Sequence, residues 1–568
     1  MVSNLINALR QSIVDGLTDR SLTSCSRWAA NRRVMGEPFP GPYSWTYHPW
    51  VREMHDSDAS FNYAMKSAQA GVTEVAINRA LYVLDRLRRD VLYVLPTALN
   101  ASDFSKARFA TALALSPKLA EIFTDTNTVN LKQAGANTLY IRGSRGDSNL
   151  KSIPVSELFL DEVDEMDQKQ IWLALERLSG QVHKHVWGIS TPTIPNYGIH
   201  KLYLTSTQEH FVFRCPCCSR WTELVWPDCI EIIGEHVADV RCHESFLKCK
   251  ECKRRLDHSS KPDWLAKGTW HATAKNANPD IRGFHINQLY SFTVTPGELV
   301  VAYFRGFGDE LANKEFHNSK LGLPFIGDGA KVTDDDLTAC VRNHTRDDPR
   351  PEIGGERIIT MGVDQGKWSY VEICEWFFDR YSQDLNVAAT AKVLWEGKFY
   401  EDEWDERLDQ LMREWQVLAC VIDADPWPME ARRFAKRFPG YVWLCRYRRG
   451  VTAKEISITD DDDGAPLATV DRTNWLSASL GRFRQPRRIV LPRDVSHEYL
   501  EHIKAPVRTY EREKKDTKKD KQEKSGGNVV ATFISTGPDH FAHARTYAEI
   551  ALPLVAARET NQDIKSFL

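Results

Sequence analysis

Residues 61–74 read Phe61-Asn-Tyr-Ala-Met-Lys66-Ser-Ala-Gln-Ala-Gly71-Val-Thr73-Glu74, and their reading decides the fold. The run Phe61–Met65 predicts a short strand, and a helical pattern follows the turn. Strand, glycine-bearing turn and helix together frame a phosphate loop, whose standard form is G-x-x-x-x-G-K-[ST]. With Thr73 on the final hydroxyl position, Gly71 falls on the second glycine. Val72 then replaces the lysine and Lys66 replaces the first glycine. The chemistry needs backbone N–H groups around the phosphates, a hydroxyl on Mg²⁺ and a cation near the β/γ-phosphates. Lys66 can supply that cation by reaching across the loop. The competing reading of this stretch alone is a strand–turn–helix with a surface lysine.

The sequence on either side favours the phosphate loop. Ser156–Glu162 (SELFLDE) is an apolar strand ending in Asp161-Glu162. In a P-loop ATPase the aspartate holds Mg²⁺ through water and the glutamate orients the attacking water. A third strand, Val186–Ile189, leads into Ser190-Thr191-Pro192-Thr193, whose hydroxyls can sense a γ-phosphate. Three such strand ends in this order predict an ATPase. Further strands at Val91–Leu95 and Thr138–Arg142 alternate with helical stretches, which predicts a parallel α/β sheet. Arg142 and Arg145 precede the Asp-Glu strand and are candidates for a stimulatory arginine, with solvated loop arginines as the alternative.

Seven of the 12 cysteines lie between Cys215 and Cys252. Clustering of this kind suits metal binding in a reducing compartment better than secreted disulfides. Cys215/Cys218 and Cys249/Cys252 form two C-x-x-C knuckles that can close a tetrahedral Cys₄ zinc site, a structural role with no catalytic one. The 30 intervening residues are more than a usual ribbon has. Cys217, Cys229, Cys242 and His243 stand as spare or substitute ligands.

A new strand series begins at Arg357–Val363, then Tyr370–Trp376 and Ala388–Trp395. A helix (Glu403–Trp415), a strand (Val417–Ile422), a helix (Met429–Phe438) and a late helix (His540–Ala557) follow. Three consecutive strands, a helix, a strand and a late helix is the order of a ribonuclease-H-like nuclease. Its first and fourth strands would end side by side, at Asp364 and Asp423, and Asp539 opens the late helix. Two-metal phosphodiester cleavage needs such converging carboxylates, so Asp364, Asp423 and Asp539 are the candidate Mg²⁺ or Mn²⁺ ligands, with Asp425 as a possible fourth. Residues 428–450 hold Arg432, Arg433, Lys436, Arg437, Arg446, Arg448 and Arg449 against one acid, Glu430; Arg482, Arg484, Arg487 and Arg488 follow, interleaved with Phe434, Tyr447 and Phe483. This predicts a DNA backbone track.

At ~150 residues per domain, 568 residues imply about three to four domains. The organisation expected is an N-terminal arm (1–45), a P-loop ATPase domain (46–210), a zinc ribbon (211–257) and completion of the ATPase domain (258–341). A linker (342–356) and a ribonuclease-H-like nuclease domain (357–568) follow. Hydrophobic residues at 42% and charged residues at 27% exclude wholesale disorder. A net charge of −3 argues against a uniformly basic coat but not against a local basic groove. The longest clean apolar run, Ile550–Ala557, falls short of the ~20 residues of a membrane-spanning helix. The first residues lack the long apolar segment of a secretory signal.

The segments KSAQAGVTE, LFLDEVDE and STPT together resemble the large terminase subunit of tailed bacteriophages, its lambda-like branch in particular, a family noted for moving the P-loop lysine to the front of the loop. The resemblance implies that Lys66 and Thr73 bind ATP and Mg²⁺, that Asp161 and Glu162 are the Walker B pair, and that Ser190-Thr191 form the coupling motif. Tyr47-His48-Pro49-Trp50 resembles the family's adenine-side segment. Many relatives keep a lysine where this chain has Val72. The Cys-rich insertion and the segments GVDQG, VIDAD and DHFAHARTYA are also similar to the family, and His543 stands where a second aspartate is frequent. The resemblance spans about Trp45 to Leu552. It implies ATP-driven packaging of double-stranded DNA into a procapsid and cutting of concatemers. A small terminase subunit and a portal are the implied partners, with a homo-oligomeric motor in the host cell cytoplasm. Two other readings compete: a repair helicase–nuclease, for which no helicase motif follows the third strand, and a zinc-ribbon DNA-binding scaffold with a decayed ATPase site.

Overall fold

Every predicted strand that ends in a candidate site residue is present in the computed structural model, which describes residues 22–123, 128–145, 150, 153–348, 357–378, 389–448, 456–512 and 529–560. The chain divides into two units, Met1–Ile326 and Gly327–Leu568.

The first unit is built on a ten-stranded sheet. Its strands are β1 (Phe61–Lys66), β2 (Val91–Leu95), β3 (Leu131–Ala134), β4 (Asn137–Gly143), β5 (Glu157–Asp161), β6 (His185–Ser190), β7 (Glu209–Arg214), β8 (Trp221–Thr222), β9 (Thr269–Ala272) and β10 (Ile281–Ile286). The order is β8-β7-β10-β1-β6-β5-β2-β4-β3, with β9 beside β7. From β10 to β4 every neighbouring pair is parallel. Strands buried on both faces carry continuous apolar runs, and β2 (VLYVL) is buried throughout. Tyr93 and Phe159 pack on one face, Leu92, Leu158 and Leu160 on the other. The chain lays β2, β4, β5 and β6 on one side of β1 and returns to place β10 on the other. That reversal opens a crevice at the carboxyl ends of the strands, where α/β sheets bind ligands. Helix α1 (Val72–Tyr82) leaves from there.

The described part of the expected arm is not detached. Helix Cys25–Arg32 buries Trp28 fully, and the Trp28 indole donates to Asp85 Oδ2 at 2.7 Å. Residues 1–21 lie outside the described residues.

The second unit holds an eight-stranded sheet of β11 (Ile358–Asp364), β12 (Trp368–Phe378), β13 (Ala389–Tyr400), β14 (Ala419–Asp423), β15 (Val442–Tyr447), β16 (Ser457–Asp460), β17 (Pro466–Val470) and β18 (Ile489–Val490), in the order β16-β17-β15-β14-β11-β12-β13-β18. β11–β12–β13 is an antiparallel meander and β14 runs parallel to β11. Helices α2 (Trp404–Glu414) and α3 (Pro428–Arg437) precede and follow β14. The late helix α4 (His540–Thr560) lies across β11. It comes so close at Gly362 that a Cβ there would run into the backbone of Ala544 and Ala548.

Four buried charged side chains pin α4. Arg545 bonds Glu372 at 2.7 Å and Glu549 at 2.5 Å, and Arg482 bonds Glu549 at 2.5 Å. Each buried charge is thus paired, the condition under which it is tolerated.

The units divide at Ile326, ahead of the linker expected at 342–356. Val332, Leu337 and Cys340 pack into the second unit's core, so the stretch from Gly327 belongs there. Residues 349–356 of that linker, and 513–524 of the Lys-rich stretch, lie outside the described residues.

Candidate functional site

β1 delivers Lys66 to the crevice, and the turn after it ends at Gly71. Gly71 has φ +76°, where a side chain is strained, and a Cβ would meet the His48 ring at 3.0 Å. Helix α1 starts one residue later and presents its unpaired N–H groups, a ready anion site. Val72, in the place of the usual lysine, is 1% exposed and part of the core. The lysine at this turn is Lys66, whose Nζ is 3.3 Å from Thr191 Oγ1 and 3.5 Å from Glu162 Oε1. A cavity of about 1000 Å³ opens over the loop, lined by Lys66, Gly71, Thr73, Tyr47, His48 and Arg108 among others. The Trp50 indole donates to Ala70 O at 2.9 Å and holds the loop from below.

Asp161 ends β5 almost fully buried. Its Oδ2 accepts from the Tyr93 hydroxyl at 2.6 Å, and its Oδ1 is buried without a partner. Burial, with Glu162's charge second, pushes its carboxyl up to about 6. A buried carboxylate oxygen left unpaired is costly, and a divalent cation is the group that fits it. Glu162 follows in the left-handed region, φ +63°, with a 40% exposed side chain. Such strain in a non-glycine residue concentrates at functional sites.

Of the predicted hydroxyl pair, Thr191 reaches the site and the Ser190 side chain does not. Ser190 is fully buried, accepting from Asp164 N at 3.2 Å and donating to Thr191 O at 3.1 Å. Asp164 is a residue that sequence reading missed. It accepts from Thr193 N, Thr193 Oγ1 and Ile199 N, each at 2.7 Å, and ties the turn of Glu162 to the end of β6. Arg108 was missed as well. Glu74, just after Thr73, pairs with it at 2.5 Å and with Arg33 at 2.6 Å. Arg142 donates to Asn130 O at 2.7 Å, and neither it nor Arg145 lines the cavity.

In the second unit, Asp364 ends β11 and Asp423 ends the neighbouring parallel strand β14. Val363 pairs with Ile422, so the two acids are next in register. Burial and then Asp364's charge push Asp423 up to about 6; a cation would relieve both. Asp539 precedes α4, whose first turn carries His540 and His543. His540 Nδ1 is 2.8 Å from Asp364 Oδ2, and His543 Nε2 is 3.5 Å from Asp539 Oδ2. Burial opposes ionisation of Asp539, but hydrogen bonds from His543 and Ser535 hold it below the usual range. The acids are gathered at one end of the sheet without closing on one point. Among the described residues, only the four cysteines Cys215, Cys218, Cys249 and Cys252 form a ligand group within 4.8 Å. Asp425 turns to Arg446, 3.5 Å away on the surface.

The expected basic track needs correction. Arg482 is buried against Glu549, and Phe434 and Phe483 are fully buried. Arg432 pairs with Asp461 and Asp463, Arg433 with Asp405, and Arg437 with Asp405 and Asp409. Acids distant in sequence neutralise much of what reads locally as a positive run. Arg449 lies outside the described residues.

The cysteine knuckles repeat one geometry. Ser219 N bonds Cys215 O at 2.9 Å and Lys253 N bonds Cys249 O at 3.0 Å, with Ser219 and Lys253 both at φ +58°. Sγ of Cys215 and Cys252 are 4.0 Å apart; tetrahedral zinc with 2.3 Å bonds needs about 3.8 Å. Cys229 and Cys242 bond backbone carbonyls instead, as does Cys217.

The family model described as "Phage terminase large subunit gpA, ATPase domain" matches residues 37–270, and "Terminase large subunit gpA, endonuclease domain" matches 281–529. Among solved structures, the HK97 bacteriophage large terminase is similar over 94% of this chain and 99% of its own, at 11% identity and TM-score 0.47. The large terminase of a thermophilic bacteriophage is similar over 90% of this chain and 99% of its own, at 12% identity and TM-score 0.29. The ATPase domain of the Thermus phage P74-26 large terminase is similar over 50% of this chain and 94% of its own, at 14% identity and TM-score 0.30. No curated protein matches. With the ATPase and endonuclease models following one another along it, the chain belongs to the bacteriophage terminase large subunits, which package viral DNA and cut its concatemers.

Proposed function

We propose that the first unit hydrolyses ATP to drive double-stranded DNA into a procapsid, with Lys66, Gly71 and Thr73 on the phosphates and their Mg²⁺. Asp161 would hold that ion, Glu162 would orient the attacking water and Thr191 would face the γ-phosphate. Ser190 braces the turn beneath them. Mg²⁺ supplies charge neutralisation on the phosphates; the chain's own residues position and polarise. The observation that carries this reading is the Lys66 ammonium lying between Glu162 and Thr191. Lys66→Ala is expected to lower DNA-stimulated ATP hydrolysis by roughly 100-fold or more. Hydrolysis at the wild-type rate would refute the displaced-lysine assignment. A decayed ATPase site, the scaffold reading, fits poorly with Asp161's unpartnered oxygen beside an intact Glu162.

In the second unit, Asp364, Asp423 and Asp539 hold Mg²⁺ or Mn²⁺ for endonucleolytic cutting. The four cysteines hold one structural Zn²⁺. Elemental analysis of native protein is expected to find one zinc per chain, lost in Cys249→Ala together with order in 215–256; zinc-free native protein would remove the ribbon. The partners consistent with family membership are a small terminase subunit, the portal and further copies of this chain, in the host cell cytoplasm. No helix among the described residues is long and apolar enough to cross a membrane.

A further inference from the structure

Arg482, Arg484 and Arg487 are close in sequence, yet their surroundings differ. Arg482 is buried and saturated by Glu549. Arg484 is half-buried, and its guanidinium has no hydrogen bond or ion pair among the described residues. Arg487 reaches only Asp336, at 3.9 Å. That carboxylate is already committed, because its Oδ2 accepts from Thr333 N at 3.1 Å and Thr333 Oγ1 at 2.8 Å. A third arginine comes from the hairpin of β19 (Pro506–Arg512) and β20 (Val529–Ser535). Arg508, on β19, donates its backbone N–H to Ala330 O at 2.8 Å. Gly329 beside it is bare, and a Cβ there would stand 3.9 Å from Arg484 Nη1. The Nε groups of Arg484, Arg487 and Arg508 are all buried without a hydrogen-bond partner. Burial lowers the pKa of Arg484; Asp336's charge opposes this and Arg508's adds to it.

Three guanidiniums thus share one half-used carboxylate. Buried donors are normally paired, and buried charge is tolerated where a counter-charge meets it. The group that fits is an anion accepting several N–H bonds at once, as phosphate oxygens do from guanidinium forks. The hairpin favours a phosphate of DNA. Arg508 pairs across it with Phe533, whose carbonyl accepts from Arg472 Nη1 at 3.3 Å. Arg472 Nη2 is 4.0 Å from Asp539 Oδ2. One strand pair therefore separates the arginines from a carboxylate proposed for cutting. A DNA strand carries a phosphate every ~3.4 Å of helix axis, so one strand can reach both.

We propose that Arg484, Arg487 and Arg508 form a phosphodiester site that grips the DNA backbone beside the cut. They are positioning residues, and this site is the part of the basic run that folding leaves unneutralised. The proposal rests on the DNA substrate of the second unit and not on which acids hold metal.

The test measures binding of a short labelled duplex to the full chain in EDTA, by fluorescence anisotropy across a salt series. Arg484→Gln and Arg508→Gln are each expected to weaken binding by roughly 10-fold near about 0.1 M salt, equally for unrelated sequences, and to flatten the log–log salt slope by about 1. Arg413→Gln, which removes an arginine 74% exposed on α2, should change neither. Without DNA, both site variants should melt no lower than wild type, because an unpaired buried charge has gone. Lower melting would make the arginines structural and overturn the proposal. Site variants that bind as wild type does overturn it too, as does Arg413→Gln weakening binding equally. If polyglutamate protects wild type against melting as well as duplex of equal charge does, the site takes an acidic peptide and the proposal fails. A wild type that binds no duplex removes the DNA reading of the unit; a wild type that binds, with variants that match it, removes only the arginine site.

Discussion

Glu162→Gln is expected to abolish ATP turnover while leaving metal-dependent DNA cutting at the wild-type level. The side chain leaves a backbone held at φ +63°, is 40% exposed, and sits 3.5 Å from the Lys66 ammonium. Glutamine keeps the volume and loses the charge and the basic oxygen. Loss of a positioned base costs about 10²–10⁴-fold in rate. Because that interaction matters in the transition state, the loss should fall on kcat with nucleotide affinity nearly unchanged. The residues proposed for cutting lie in a separate unit with its own core, so they should not be touched. Phosphate release with DNA present, nucleotide binding and plasmid cutting, measured on one preparation, decide it. Turnover within about tenfold of wild type, below the loss expected for a base, would remove Glu162 from that role.

Asp364→Asn is the mirror case: cutting lost, ATP hydrolysis kept. Losing an outer partner of a metal ligand costs roughly 10–100-fold in affinity or activity, and losing the ligand itself should cost more. A second readout separates this from damage to the fold. Burial and Asp364's charge hold Asp423's pKa up near 6. An acid whose folded pKa is raised destabilises the fold at pH above it. Taking away the neighbouring charge lowers that pKa and eases the cost, so without divalent ions the variant should melt no lower than wild type. Wild-type cutting, measured on supercoiled plasmid with Mn²⁺ or Mg²⁺, would exclude Asp364.

The strands that carry both candidate sites were legible because they are buried and end in charge. An apolar run such as Leu158–Leu160 stopping at Asp161-Glu162 announces both the strand and its working end, and Ile359–Val363 before Asp364 does the same. Lys66 could be nominated because a loop of this length can bring its first residue back toward its last, and both Lys66 and Thr73 line one cavity. What escaped depended on partners distant in sequence. Ser190 reads as a free hydroxyl until Asp164, 26 positions earlier, takes it up. Arg482 reads as part of a basic track until Glu549 arrives on α4, 67 positions later. Asp164 itself left a faint signal, a third acid just beyond the Asp-Glu pair; its bonds to Thr193 and Ile199 needed the sheet to bring β5 and β6 together.

The close approach of α4 to Gly362 carries one further meaning. Asp364 rides on the strand and Asp539 on the helix's leading end, so the span between these two jaws is gauged by a methyl group that is not there. Any side chain at that point would act as a shim, prying the jaws apart from a spot with no chemistry of its own. Misalignment of about 1 Å can cost a hundredfold in rate. If Asp364 and Asp539 are the cutting residues proposed above, the tolerance of the cutter is kept by the least reactive residue near it.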